Sequence, residues 1–129
     1  GEFGFAPLFA DPPKRGGSLV PFAVRGAPIL NDATLEDALA LGLDRRVDLL
    51  TPTTDGIAEL GLNRDLVLPA LADALDRATL VIAKGMANYE SLSDDRDLPP
   101  VAYLMSVKCG PIGADIGIPV GSRVALLRD

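Results

Sequence analysis

The sequence predicts an α/β fold with a mainly parallel sheet of about five strands, and three observations point to it. Short apolar runs alternate with segments of helical periodicity. The connections between them are short, as in a doubly wound sheet. Polar clusters follow the ends of the apolar runs, at residues 25–34, 51–56, 84–90 and 108–110. Right-handed crossovers would place all those ends on one edge, where ligands of such sheets gather.

Residues 1–18 carry three prolines and four glycines and predict an irregular segment; residues 19–129 form the α/β domain. LVPFAVR (19–25) reads as the first strand, with Pro21 near its start, where a missing donor is tolerated. TLEDALALG (34–42) reads as a short helix with Thr34 and Asp37 spaced as a capping box and Gly42 just past its end. RVDLLTP (46–52) is the second strand, and a long loop follows it. RDLVLPALADALDRA (64–78) has helical spacing at Leu68, Leu71, Ala72 and Leu75, with Pro69 confined to the first turns. TLVIA (79–83) is the third strand; its unbroken apolar run suits burial on both faces. A helix then starts near Met86. VAYLMSV (101–107) is the fourth strand, 108–117 holds a short helix or turn, and SRVALLR (122–128) is the fifth strand.

At 129 residues and 48% apolar, the chain is long enough for one sizeable core. No apolar run reaches membrane-spanning length and no signal peptide shows at the start, so a cytoplasmic protein is expected. A net charge of −6 without a basic stripe argues against nucleic acid as a partner. One cysteine excludes an internal disulfide, and the absence of histidine excludes His-based triads and His-rich zinc sites. Carboxylates, amides, hydroxyls and lysine remain for chemistry.

Two stretches carry candidate chemistry. In VRGAPILNDATLEDA (24–38), Asp32 reads either as an Asx-turn residue or as a hard oxygen ligand for a divalent ion, with Asn31 beside it. In TLVIAKGMANYESL (79–92), one of only three lysines ends an apolar run. Lys84 either extends its stem over the core or faces an anion, with Gly85 letting backbone approach and Asn88 one turn on. Lys108, Cys109 and Gly110 repeat that layout more weakly. Cys109 reads as a small buried residue rather than a nucleophile, and Asp55-Gly56 as a turn.

Together with VAYLMSVKCGPIGADIGIPVGSRV (101–124), these stretches resemble the damage-control phosphatases with an acidic-residue-methyltransferase-like metal-binding domain, the former domain of unknown function 89. The small archaeal and bacterial branch is the most similar. The resemblance implies a Rossmann-like three-layer fold and a divalent metal (Mn, Mg, Co or Ni). It implies hydrolysis of small phosphate monoesters, either sugar phosphates or damaged phosphometabolites. Asn31-Asp32-Ala33-Thr34 matches the family's Asn-Asp-x-Thr element, so Asp32 inherits a metal-ligand role. Lys84-Gly85-Met86-Ala87-Asn88 matches its Lys-Gly-x-x-Asn element and inherits the substrate-phosphate role. Glu2, Arg25 and Asn31 are candidate supporting residues, with Asn31 or Glu2 as substitutes for the family's missing metal ligands.

The sequence departs from the family pattern at Gly1-Glu2-Phe3, which looks like the tail of an Asp-Asn-x-Gly-Glu stretch without its ligands, and at Thr79, where relatives often carry aspartate. The expectation is therefore a chain shortened at its amino end and impaired as a phosphatase. The alternative is a non-catalytic anion-binding or regulatory form of the fold. A nucleotide binder is disfavoured, because no Gly-x-Gly-x-x-Gly or Walker loop follows a strand.

Overall fold

The structure, a computed structural model, describes Ala10, Asp11 and residues 14–129. Most of the segment expected to be irregular, Glu2 included, lies outside the described residues; within it Ala10, Asp11, Lys14 and Arg15 are helical. The chain divides into two compact units, residues 1–59 with 64–74, and residues 60–63 with 75–129.

In the first unit, β1 (Pro21–Val24) lies parallel to β2 (Leu49–Pro52), with Pro21 opposite Leu49 and Val24 opposite Pro52. β1 starts at Pro21 rather than residue 19, since proline supplies no ladder donor and sits best at a strand's first position. Between the strands run α1 (Leu35–Ala40) and a 3₁₀ turn (Leu43–Arg45). Six residues cannot hold a helix alone. Tertiary packing does it: Ala38 and Leu43 are fully buried against Val24, flanked by Phe22, Leu35 and Leu50.

The expected cap is present in its return half, with Thr34 N–H and hydroxyl donating to Asp37 Oδ2 at 2.9 and 3.0 Å. The backbone bond, more than the hydroxyl, holds the Asp37 carboxyl below its usual range. Past the helix, Gly42 takes φ 69°, the left-handed turn that glycine accepts freely. Asp48 accepts from Lys14 and, at 2.7 Å, from Val20 N–H, and both bonds lower its pKa.

α2 (Pro69–Arg77) crosses from one unit's residues into the other's. It begins at Pro69, later than the expected residue 64, because proline favours the first helical position and disfavours helix in the residue before it.

The second unit holds β3 (Val81–Lys84), α3 (Met86–Leu92), β4 (Val101–Ser106), α4 (Gly110–Ile116) and β5 (Arg123–Arg128). β4 is central, parallel to β3 and antiparallel to β5. Its alternate residues Val101, Tyr103 and Met105 are buried with Ala83, Tyr89 and Leu92, the period-two pattern of a sheet with one packed face. Tyr89 meets Tyr103 edge to face, with ring centroids 4.9 Å apart. Its hydroxyl donates to Asp115 of α4, and Arg128 of β5 lies 5.3 Å over its ring and 3.6 Å from the same carboxylate. One tyrosine thus joins three elements.

The α/β class stands and five strands form, but they are bonded as sheets of two and three rather than as one ladder. β5 runs antiparallel because the chain between β4 and β5 is closed at its base. Val107 N–H donates to Ser122 O and Gly121 N–H to Val107 O, both at 2.8 Å, so the strand re-enters beside β4 in the opposite sense. The two-faced burial expected of the third strand also needs correction. Leu80 and Ile82 are 49% and 44% exposed while Ala83 is buried, because among the described residues β3 packs one face on α3 and pairs with β4 alone.

Burial, and next the bond to Asp115, push the Tyr89 hydroxyl from 10.0 up to about 12. The folded state therefore retains a proton that the unfolded chain loses first. Stability is full below about pH 10 and falls as pH rises toward about 12. Urea midpoints measured from pH 9 to 11.5 should show this decline, and Tyr89→Phe should flatten most of it at a lower starting stability.

Candidate functional site

β1 and β2 are parallel, so both release their chains at the same end of the first unit's sheet. Beyond β1, Arg25 stays tied to the entry of α1 through a parallel bridge with Thr34, its N–H donating to Ala33 O at 2.9 Å. The intervening loop closes with Asp32 N–H on Ile29 O at 3.0 Å and Leu30 at φ 49°. This folds Asp32 back onto Arg25. Arg25 Nε donates to Asp32 Oδ2 at 2.8 Å. The arginine side chain is 10% exposed and the aspartate side chain 44%, so a mostly buried cation meets a half-exposed anion. Asn31 is exposed on the same loop.

Beyond β2, Thr53 N–H donates to Val24 O at 2.7 Å, extending the contact between the strand ends. Thr54 is fully buried; its hydroxyl donates to Ile57 O at 2.7 Å and accepts from Ile57 N–H at 3.2 Å. Gly26 presses on it. A β-carbon at position 26 would lie 2.0 Å from Thr54 Oγ1 and 2.5 Å from its carbonyl oxygen. Arg25, Gly26, Thr34, Thr54 and Asp55 line an open crevice of about 400 Å³. The hydroxyl of Thr53 is buried without a hydrogen-bond partner among the described residues. The sequence marks residues 51–56 as a polar cluster at a strand end without singling out Thr53 or Thr54 within it.

In the second unit, β3 ends at Lys84, which is half-buried. Gly85 follows at φ 93°, ψ 151°, a conformation that glycine reaches and L-residues rarely do. Its N–H donates to Leu104 O at 2.9 Å, and the space where a β-carbon would stand is open. Asn88 Nδ2 donates to Lys84 O at 2.6 Å, so the asparagine clamps the turn that presents the lysine. Met86 Sδ accepts from Lys108 N–H at 3.5 Å and lies 3.9 Å from Cys109 Sγ, which brings the two Lys-Gly-like turns side by side.

Of the sequence candidates, Arg25 with Asp32 form one contact and Lys84 with Asn88 another, one in each unit. A divalent metal would need several oxygen ligands from the described residues. They hold no group of three or more carboxylate, cysteine or histidine side chains, and the Asp32 carboxylate already faces a guanidinium. This donor set does not fit a hard dication, which requires several oxygens. No described helix is long and apolar enough to cross a membrane.

Residues 1–124 match the damage-control phosphatase ARMT1-like domain family, and the chain belongs to that family. It is 42% identical over 125 residues to a damage-control phosphatase of Archaeoglobus fulgidus, covering 97% of this chain and 42% of that protein. A damage-control phosphatase of Pyrococcus horikoshii is 31% identical over 104 residues, covering 81% of this chain and 35% of the relative. The crystal structure of a DUF89 family protein from P. horikoshii superposes with a TM-score of 0.73 at 31% identity, over 84% of this chain and 37% of that one. The chain thus spans about two-fifths of the length of the relatives it matches.

The Gly26 contact can be tested directly. Gly26→Ala should lower stability by about 1–3 kcal/mol, the usual cost of overpacking, since the obstructing atoms include backbone. Chemical denaturation of the variant beside Gly56→Ala, whose β-carbon would meet open space, separates crowding from backbone strain.

Proposed function

We propose that this member of the damage-control phosphatase family acts on small phosphate monoesters, sugar phosphates or damaged phosphometabolites, with residues 19–129 as the phosphatase-like domain. The observation that carries the reading is the Lys84–Gly85 turn. A lysine closes a strand, and the next residue leaves its backbone uncovered in a conformation reserved for glycine. A phosphate placed there meets an ammonium and an approachable backbone, with Asn88 holding Lys84 by its carbonyl.

In hydrolysis, water adds to phosphorus as the bond to the alcohol oxygen breaks, and charge spreads over the remaining phosphate oxygens. Lys84 would neutralise part of it at fixed geometry. Gly85 and Asn88 complete the phosphate subsite, and Asp32, with Arg25 and Asn31 near it, is the carboxylate offered to a divalent ion; Glu2, a further candidate, lies outside the described residues. Such an ion (Mn, Mg, Co or Ni) supplies charge stabilisation in chemistry of this kind. The described donors do not fit such an ion. A three-layer Rossmann-like arrangement, a cytoplasmic setting and no nucleic-acid or membrane partner belong to the same reading.

A second reading has one observation in its favour. Asp32 is already paired with a buried arginine, which suits a non-catalytic anion-binding form of the fold as well as an enzyme.

Inorganic phosphate titrated by calorimetry, and hydrolysis of a sugar-phosphate panel with added manganese, test the proposal. Lys84→Met keeps the aliphatic stem and should bind phosphate at least about tenfold more weakly, because a charged hydrogen bond is worth roughly 1.5–3 kcal/mol. Its melting temperature should stay near the parent's. Equal phosphate affinity in parent and variant would overturn the role of Lys84. Phosphate binding without turnover of any substrate would favour the second reading.

A further inference from the structure

The carboxylate that this family reading offers to a metal is, in this chain, already neutralised. Arg25 Nε donates to Asp32 Oδ2 at 2.8 Å, and Arg25 is only 9% exposed. Its backbone is held by the parallel bridge to Thr34, and its side chain is 10% exposed where it meets the carboxylate. Both carboxylate oxygens share one negative charge, so an ion on Oδ1 would still stand a few ångströms from the guanidinium. A dication there meets attraction from one anion and repulsion from one fixed cation. No further described carboxylate, cysteine or histidine gathers with Asp32 into a group of three to tip that balance.

We infer that Arg25 is the resident counter-cation of Asp32, and that a divalent ion reaches this carboxylate only in competition with it. The inference rests on reading Asp32 as the carboxylate offered to the metal. It goes beyond that reading by giving Arg25 a sign: the arginine weakens metal binding rather than supporting it. Arginine suits the task because its planar fork matches a carboxylate.

The test is Mn²⁺ binding to the 129-residue chain, read from the electron paramagnetic resonance signal of the free ion. Arg25→Gln removes the charge and keeps a polar side chain. It should bind Mn²⁺ about tenfold tighter, the size expected when a like charge a few ångströms away is removed at a partly exposed site. Arg25→Lys keeps a charge but not the Nε contact, so its Mn²⁺ affinity should fall between those of the parent and Arg25→Gln. The gain should vanish in the double variant Arg25→Gln/Asp32→Asn. Equal or weaker binding by Arg25→Gln would overturn the inference while leaving Asp32 as a ligand.

Asp32→Asn alone binding as well as the parent would instead sink the metal reading and the inference with it. Should Arg25→Gln fail to fold, the parent provides the measurement. Its Arg25 Nε–H resonance should shift and exchange faster with solvent as Mg²⁺ is added. An unmoved resonance at saturating Mg²⁺ would overturn the competition.

Discussion

Parallel pairing is the constraint on which both halves of this protein depend. Two parallel strands must end side by side, and whatever follows them is delivered to a common place. In the first unit this brings the loop after Val24 against the turn after Pro52, closely enough for Thr53 to hydrogen-bond to Val24 and for Gly26 to exclude a side chain. In the second, the turns after Lys84 and Val107 meet, with the Met86 thioether lying between their backbones. The polar clusters seen along the chain thus acquire neighbours through strand direction alone.

What was legible in the residues was what local chemistry decides. Proline's lack of a donor placed Pro21 at the start of a strand, and the left-handed turn at Gly42 ends a helix as its position suggests. The Lys84-Gly85 turn was also visible, since a lysine rarely closes an apolar run without reason. Less visible was everything set by partners distant in sequence. An apolar run cannot say whether one face or two will be covered, so Ile82 read as buried and is half open. The direction of β5 depends on two hydrogen bonds to Val107 from a segment fourteen and fifteen residues on, which no periodicity encodes.

The same division runs through the candidate site. Asp32 and Arg25 each stood out as a polar residue near a strand end, seven positions apart. Their pairing did not, because it depends on how the 26–33 loop folds back through the Ile29–Asp32 turn. That turn converts two separate candidates into one near-neutral unit. Thr53 was missed for the same reason: its buried hydroxyl becomes conspicuous only when the fold shows no partner for it.

The two cations differ in chemistry as well as in setting. Lys84 carries a compact charge on a long stem at a half-buried strand end. Arg25 carries a rigid, permanently charged fork, mostly buried and bonded to a carboxylate. Exchanging them would misplace both functions. Lysine at 25 would lose the Nε contact that fixes Asp32, and arginine at 84 would set a wide planar group beside a glycine turn kept open. The rigid fork at 25 holds a carboxylate still, whereas the narrow side chain of Lys84 leaves the glycine turn beside it uncrowded.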